Sequence, residues 1–586
     1  MVLEKEGLSY ALERLYSEIE ERAELEFRIS KPEIRRPPKE ADAACAVPCF
    51  QYAKREGKNP IKLAEEVAER WNESPGTLIE RFEAAKGYVN AIANRKALLA
   101  EILADIVRTR NEYGNHPQVL QTVVVDYCSP NIAKPLTVGH LRSTIIGHAL
   151  INILEASGYT AVGINFLSDW GTQFGKLLYA FGQWGDEEKF SGDPIGHLVD
   201  LYVRFHNQLE ANPSLEDEAR STFKHLEQSE ETERTLWARF REASLADFEK
   251  TVERLGVHFD HNWYESDFEK KAHELICSLL DKGIAERSEG AVIIRTFDGE
   301  DKPPLIARKS DGTTLYASRD LASALERIER FKPVSRLLYV VATEQNLHFA
   351  NLAKALEKIG HGNICQHIRF GMVSLPCGKI STREGRVVYL DDLLDESERR
   401  AAEIIAEKNP RMPEDRRAEV ARRVGIGSVI YADLSQDRIK DIVFDWSKML
   451  SFDGNSAPYL QYAAVRCAKI LEKAPPGESE PLKKLSETDI SRLAESVNEV
   501  ESIELLTHIG RFPQAVSEAA ERYSPHILTT YLYELATLFS RFYTQVPVLK
   551  AGDETERHAR LVLVNATRLV LERGLGLLGI EVPDEM

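Results

Sequence analysis

A β-loop-α-β unit spans residues 122–167 and limits the chain to a small set of α/β folds. Residues 122–127 are rich in β-branched side chains and predict a buried strand, and residues 160–167 predict the next strand. Between them, apolar residues spaced four apart predict a helix over residues 138–157, which Gly158 would end. Such units build parallel sheets, and these sheets bind nucleotides beyond the carboxyl ends of their strands.

A chain of 586 residues is too long for one hydrophobic core, so we expect three to four domains. The pattern of apolar residues predicts an N-terminal α+β domain, the sheet domain, a helical linker and an all-α domain. The predicted bounds of these four domains are residues 1–114, 115–400, 401–455 and 456–586.

Finer patterns subdivide two of these domains. A charge-rich helical insertion in the sheet domain is predicted at about residues 185–290. We expect the sheet to resume at residues 291–295 and again at residues 337–341. In the N-terminal domain, residues 91–108 predict one long helix.

The composition, with a net charge of −18, 43% hydrophobic and 29% charged residues, is typical of a globular protein. No apolar run reaches the roughly 18 residues of a membrane helix, and the N-terminus lacks the features of a secretory signal. The seven cysteines are scattered, so we expect reduced thiols, no metal site and a cytoplasmic location. The acidity weakens a nucleic-acid-binding interpretation without excluding it, because a local basic patch suffices.

The loop between the first strand and its helix, SPNIAKPLTVGHLRST at residues 129–144, carries the first chemical motif. Gly139 and His140 lie at the start of the helix, where free N–H groups and the helix dipole favour anions. The glycine lets a nucleotide approach the backbone, His140 can donate a hydrogen bond to it, and Lys134 adds a positive charge suited to a polyphosphate. A Gly-His pair alone is more often an ordinary helix cap.

This loop, followed by DWGTQFG at residues 169–175, resembles the HIGH signature of class I arginyl-tRNA synthetases. The resemblance implies a parallel nucleotide-binding catalytic domain of the Rossmann-like, HUP type, in which Pro130, Gly139 and His140 bind ATP. It also reveals one departure, because Thr137 stands where the family has its first histidine. A threonine hydroxyl donates a hydrogen bond but carries no positive charge, so either the loop compensates or the enzyme that the resemblance implies is slow.

Residues 378–394, GKISTREGRVVYLDDLL, resemble the second signature of the family, the KMSKS loop in its KMSTR form. The resemblance implies that Lys379, Ser381 and Arg383 are catalytic, that Lys379 also binds ATP, and that the two cations clamp the leaving pyrophosphate. The second lysine of the standard loop is a threonine here. In such members of the family a lysine before the HIGH signature substitutes for it, and Lys134 occupies that place.

Recognition of arginine requires acidic residues, because a guanidinium pairs bidentately with carboxylates. By resemblance, Asp126 and Asp320 flank the substrate guanidinium, and Tyr316 packs beside it. Asn131 and Gln345 would hold the amino and carboxylate end of arginine. Taken singly, each acidic residue is more often a solvated surface group.

The C-terminal part of the chain also resembles the family, through residues 433–446 and 454–462. Tyr462, Tyr543 and Met586 match positions that face the anticodon loop in relatives, and single-stranded bases stack on such side chains. Ordinary helix packing is the alternative explanation for each of them. The N-terminal domain resembles the domain that touches the tRNA elbow in this family.

The resemblance implies an arginine–tRNA ligase of protein synthesis. Such an enzyme uses ATP, carried with Mg²⁺, to convert L-arginine into arginyl-adenylate, and transfers the arginyl group to the 3′ end of tRNA(Arg). We expect a monomer, as relatives commonly are. One alternative is a synthetase-like paralogue that binds tRNA or arginine but charges weakly or not at all, and Thr137 favours it. Another is an ATP-dependent α/β ligase for a small molecule, against which the helical C-terminal domain argues.

Overall fold

The computed structural model describes residues 10–35, 45–228, 230–297, 302–310, 312–374, 388–483 and 485–586. They form two compact units. The first unit contains the residues up to Pro117 together with Tyr459–Glu518 and Thr530–Gly574. The second unit contains Gln118–Pro458, Ala519–Thr529 and Leu575–Met586.

The N-terminal part of the first unit contains an antiparallel three-stranded sheet with the strand order β1-β3-β2. Its elements are α1 (Ala11–Phe27), β1 (Cys45–Pro48), α2 (Phe50–Glu56), α3 (Pro60–Asn72), β2 (Ile79–Ala85), β3 (Tyr88–Ala93) and α4 (Arg95–Thr109).

The prediction of one helix over residues 91–108 is wrong at its beginning, because residues 91–93 belong to β3. This strand is central and pairs with both of its neighbours, which suits its β-branched Val89 and Ile92. The helix starts only after Asn94, whose side chain accepts a hydrogen bond from the N–H of Ala97 at 3.2 Å. Such a cap fixes the first turn of a helix.

A five-stranded parallel sheet with the order β11-β10-β4-β5-β6 organises the second unit. Its strands are β4 (Thr122–Asp126), β5 (Thr160–Leu167), β6 (His261–Tyr264), β10 (Val334–Tyr339) and β11 (Cys365–His367). The strand order reverses between β4 and β10, and ligands of such sheets bind in the crevice at that point. The sheet therefore directs attention to the loops that follow these two strands.

The sheet resumes earlier than the sequence predicts, because β6 lies inside the predicted insertion and pairs with β5. Residues 291–294 form a strand as expected, but it belongs to a separate antiparallel sheet of β7 (Glu286–Ser288), β8 (Ala291–Ile294) and β9 (Leu305–Arg308). Four residues that include His261 and Asn262 are too short and too polar to give a strand signal.

The second unit also contains α-helices. They are α5 (Val138–Ala156), α6 (Thr172–Trp184), α7 (Glu187–Gly192), α8 (Pro194–Leu209), α9 (Leu215–Glu227), α10 (Glu231–Arg254), α11 (Glu269–Asp281), α12 (Tyr316–Arg330), α13 (Asn346–Ile359), α14 (Leu390–Lys408), α15 (Glu414–Leu434) and α16 (Trp446–Met449). Two short strands, β12 (Val373–Ser374) and β13 (Ile442–Val443), pair in parallel. Helices α6 to α10 share a core rich in aromatic side chains, which includes Phe181, Phe205 and Phe240.

Helix α5 is fixed to its surroundings by two contacts. A Cβ added at Gly147 would lie 2.2 Å from Cγ of Tyr127, so only glycine allows this approach of α5 to the end of β4. Arg142 is buried and its Nε donates to Asp433 of α15 at 3.2 Å. Its Nη1 donates to the carbonyl oxygens of Gly371 and Lys440, both at 2.8 Å. The start of α5 is therefore held in a defined position.

The C-terminal part of the chain is helical, as predicted. Its helices are α17 (Ala457–Glu472), α18 (Glu487–Ser496), α19 (Val500–Ile509), α20 (Phe512–Glu521), α21 (His526–Gln545) and α22 (Glu554–Leu577). Within the first unit, α18 and α19 pack against α4. None of the helices in the described residues is both long and apolar enough to cross a membrane.

Candidate active site

The first turn of α5 places His140 at the crevice edge of the sheet. Thr137 precedes the helix in an extended conformation, with φ −112° and ψ 166°. Its backbone N–H donates to Nδ1 of His140 at 3.0 Å, and its Oγ lies 3.0 Å from the same nitrogen. Burial lowers the pKa of His140, so the imidazole is neutral near pH 7. The remaining nitrogen, Nε2, is then the donor that this side chain offers to a ligand.

The loop after β4 is held in an unusual shape without glycine. Cys128, Ser129 and Ala133 all have positive φ angles, of 69°, 47° and 63°. The N–H of Cys128 donates to Oγ of Ser143 at 2.9 Å, and that hydroxyl donates to the carbonyl of Val340 at 2.6 Å. Non-glycine residues adopt such angles only where the surroundings impose them, and these residues cluster at functional sites.

The predicted residues within this loop have different environments. The carbonyl of Pro130 accepts the N–H of Ser168 at 3.0 Å, and Asn131 forms an isolated bridge with the same residue. Pro130 is buried, whereas Asn131 is exposed. The Nζ of Lys134 lies 4.6 Å from the centre of the Tyr202 ring on α8. The helical insertion therefore supplies a cation–π contact to the lysine of the first signature.

Asp126 ends β4, and both of its carboxylate oxygens have partners inside the chain. Oδ2 lies 2.6 Å from Nη2 of Arg327, and Oδ1 accepts the hydroxyl of Ser129 at 2.6 Å. The guanidinium of Arg327 is buried and also lies 5.2–5.6 Å from the ring centres of Phe166, Trp263 and Tyr339. Burial raises the pKa of Asp126, although Arg327 opposes the shift. An arginine of the chain itself thus pairs with the carboxylate that was predicted to flank the substrate guanidinium.

The start of α12 presents Tyr316 and Asp320 one helical turn apart. Oδ2 of Asp320 lies 2.7 Å from Nε2 of His348, and the Tyr316 ring lies 4.8 Å from the imidazole of His348. Tyr316 is 49% exposed, which leaves its ring available to a ligand. Gln345 is exposed in the short turn after β10, three residues before His348. The structure therefore brings these three predicted residues to one region.

A carboxylate that the sequence did not single out, Glu265, follows β6 directly. Burial raises its pKa to about 7, Arg319 lowers it, and the negative charge of Asp320 raises it further. Oε2 of Glu265 lies 3.4 Å from Nη2 of Arg319. A polar residue directly after a strand of a parallel sheet is a candidate ligand-binding residue. Glu265 was not predicted as one because β6 itself was not predicted.

The two signatures meet at the start of α5. Lys379, Ser381 and Arg383 lie outside the described residues. Later in that signature, the carbonyl of Val388 accepts the N–H of Val138 at 3.1 Å. Tyr389 forms an antiparallel bridge with Thr137. Val388 and Tyr389 of the second signature therefore lie beside the residues that position His140.

The predicted anticodon residues have distinct settings. Tyr462 and Tyr543 flank the guanidinium of Arg466, which lies 4.6 Å and 5.0 Å from their ring centres. These two tyrosines are 37% and 43% exposed. Met586 is partly buried and packs against the core cluster of α14 and α15, which contains Ala401. The tyrosines thus offer partly free ring faces.

A group of possible metal ligands lies in the helical insertion. In the described part of the chain, one group of three possible ligands has its ligand atoms within 4.8 Å of one another, and it consists of His225, Glu230 and Glu233. His225 Nδ1 lies 3.9 Å from carboxylate oxygens of both glutamates. Surface acidic groups often approach a histidine in this way without a metal.

Comparison with known proteins decides the family. Residues 102–446 match the family described as tRNA synthetases class I (R), catalytic domain. Residues 5–92 match the arginyl tRNA synthetase N terminal domain, and residues 460–586 match the DALR anticodon binding domain. An arginine–tRNA ligase of Clostridium botulinum (strain 657 / Type Ba4) is 40% identical over 571 residues, which are 97% of this chain and 98% of that protein. The chain belongs to the arginyl-tRNA synthetase family.

Further relatives agree with this family. An arginine–tRNA ligase of Exiguobacterium sibiricum is 40% identical over 555 residues, which are 94% of this chain and 95% of that protein. The structure of the arginyl-tRNA synthetase of Thermus thermophilus superposes with a TM-score of 0.79 and 26% identity, covering 98% of this chain and 100% of the other. The predicted family, fold class and arginine–tRNA ligase activity are confirmed. The site residues and the domain bounds stay predictions.

Proposed function

We propose that this arginyl-tRNA synthetase forms arginyl-adenylate in the crevice between β4 and β10 and then transfers the arginyl group to the 3′ end of tRNA(Arg). The observation that carries the assignment of the site is the meeting of both signatures at the first turn of α5, where Val388 bonds to Val138 beside His140. That turn lies at the point of strand reversal, where sheets of this type bind ligands.

In the first step, the carboxylate of arginine attacks the α-phosphate of MgATP, and pyrophosphate leaves. The backbone at Gly139 and the Nε2–H of His140 face the phosphates, and Pro130 borders the nucleotide. Lys134 adds positive charge, together with the predicted contributions of Lys379, Ser381 and Arg383. Catalysis then consists of positioning and charge stabilisation, without a covalent enzyme intermediate.

For the arginine side chain, the geometry supports Asp320 as the main carboxylate and Tyr316 as the ring that packs beside the guanidinium. Glu265 is close enough to Asp320 for their charges to interact, and we add it as a second carboxylate. Both oxygens of Asp126 already have partners, so we propose that Asp126 shapes the wall of the pocket rather than pairs with the substrate.

The opposite end of the substrate and the tRNA are assigned by position. Asn131 and Gln345 follow the two strands that border the crevice, and we propose that they hold the amino and carboxylate groups. Tyr462, Tyr543 and Met586 would contact the anticodon loop by stacking or apolar contact. We further propose the predicted four-domain division, with the N-terminal domain on the tRNA elbow, a monomeric state and a cytoplasmic location.

The test is attachment of arginine to tRNA by the purified protein with ATP and magnesium. His140→Ala should lower the rate on the order of a hundredfold or more, because one preorganised donor is lost. His225→Ala, on the surface of the insertion, is the matched control and should leave the rate unchanged. If His140→Ala charges tRNA as fast as His225→Ala does, the active site does not lie at this turn. Bound tRNA without any charging by the native protein would support the paralogue instead.

A further inference from the structure

We propose that Thr137 is a positioning residue that holds His140 as its neutral Nε2–H tautomer, so that His140 serves ATP as a hydrogen-bond donor and not as a cation. This inference rests on the proposed function of the α5 turn.

The direction of one hydrogen bond fixes the tautomer. The backbone N–H of Thr137 points at Nδ1 of His140, with a distance of 3.0 Å between the nitrogens. A backbone N–H is always a donor, so Nδ1 must be the unprotonated acceptor. In a neutral imidazole the proton then sits on Nε2. The hydroxyl of Thr137, also 3.0 Å from Nδ1, can donate to the same unprotonated nitrogen.

The donor is itself held on both sides. The N–H of Leu390 donates to the carbonyl of Leu136 at 2.9 Å, and the N–H of Val138 donates to the carbonyl of Val388 at 3.1 Å. Thr137 lies between these bonds and bridges to Tyr389. Its extended backbone suits a β-branched residue that precedes a helix. The N–H of Thr137 therefore has a fixed position relative to His140.

A charged His140 is disfavoured by the same geometry. An imidazolium would carry a second proton on Nδ1, directed at the N–H of Thr137, and the hydrogen bond would be lost. The positive end of the α5 dipole lies at this turn and opposes a cation on His140. Burial of the ring acts in the same direction. The first signature thus stabilises phosphate charge through a neutral donor, while the cationic charge comes from Lys134.

The two amide analogues of histidine separate the roles of its nitrogens. The side-chain amide of glutamine reaches approximately the position of Nε2, and that of asparagine the position of Nδ1. With tRNA and arginine present, ATP–pyrophosphate exchange by His140→Gln should stay within about tenfold of the native rate, and His140→Asn should lose on the order of a hundredfold. An asparagine variant as active as the glutamine variant, or more active, would overturn the proposal.

The tautomer can be observed without any activity. In the full-length protein labelled with ¹⁵N-histidine, the resonances that disappear in His140→Gln belong to His140. We expect a protonated Nε2 and an unprotonated Nδ1 at neutral pH, and the reverse assignment would overturn the proposal. If this spectrum is found but the native protein charges no tRNA, the proposed function fails while the positioning stands.

Substitution of Thr137 distinguishes positioning from mere stability. Thr137→Ser keeps the hydroxyl and the cap and should stay within about twofold of the native exchange rate, whereas Thr137→Ala should lose about tenfold in kcat with little change in KM for ATP. Both variants keep the backbone N–H that donates to Nδ1, so the His140 resonances should show a protonated Nε2 in both. An alanine variant in which His140 carries its proton on Nδ1 would overturn the proposal, because the backbone N–H would then not set the tautomer.

Discussion

Replacing Arg327 with methionine should destabilise the sheet domain strongly, and the loss should depend on pH. Methionine keeps much of the side-chain volume among the three aromatic rings but removes the cation 2.6 Å from Asp126. Arg327 and Asp126 are both buried, so water does not replace the lost partner. Removing one member of a buried ion pair typically costs about 3–5 kcal/mol.

Protonation of Asp126 sets a limit to this loss. Keeping a carboxyl with an unfolded pKa of about 3.9 protonated at about pH 7 costs about 4 kcal/mol, and at about pH 5 it costs about 1.5 kcal/mol. In the variant the folded-state pKa of Asp126 lies above the unfolded value. Its contribution to stability is therefore full at low pH and is lost as the pH rises, so the variant should be weakest at the higher pH.

Hydrogen exchange under native conditions, followed by mass spectrometry in the native protein and in Arg327→Met, measures this loss of stability locally. Peptides that cover β4 and α12 report the free energy of opening without a two-state unfolding of the whole chain. Arg330→Met on the same helix removes an exposed arginine and is the matched control. Asp126→Asn combined with Arg327→Met should recover part of the loss, because no charge remains buried. A loss under about 1 kcal/mol, or an equal loss at both pH values, would refute the reasoning.

Three further predictions concern binding. Tyr202→Phe should leave KM for ATP unchanged and Tyr202→Leu should raise it several-fold, because only an aromatic face holds Lys134. The same KM for ATP in both variants would contradict this prediction. KM for arginine should fall as the pH rises through about 7, where Glu265 ionises, and this dependence should vanish in Glu265→Gln, as steady-state kinetics across neutral pH would show. Tyr462→Ala and Tyr543→Ala should each weaken tRNA binding by about 1–3 kcal/mol in filter binding, with KM for ATP unaffected.

The sequence predicted the β4-α5-β5 unit to within a residue at each end. Four β-branched residues, Thr122 to Val125, define β4, and the positive φ of Gly158, 86°, ends α5 as its place in the sequence indicated. These signals are local, so a single sequence carries them. The resemblance to the family then supplied arginine and tRNA, which no local pattern in this acidic chain indicates.

The sequence could not predict what the topology brings together. Arg327 and Asp126 are 201 residues apart, and they meet in a fold in which α12 leads into β10, which pairs in parallel with β4. The resemblance implied a substrate role for Asp126, and it carried no signal of this internal partner. Glu265 was missed for a related reason, because a four-residue polar edge strand precedes it. Non-local pairs of this kind are fixed by the fold and not by spacing along the chain.

The glycine at position 147 couples the position of His140 to the packing of α5 against the core. His140 is seven residues, or about 10 Å, along the helix from Gly147. A methyl group there would meet Tyr127, and the helix would have to tilt or slide as one body, since Arg142 anchors it between the two points. The space beside Gly147 therefore fixes the position of the whole helix, and a single added carbon atom in the core would displace His140 two turns away.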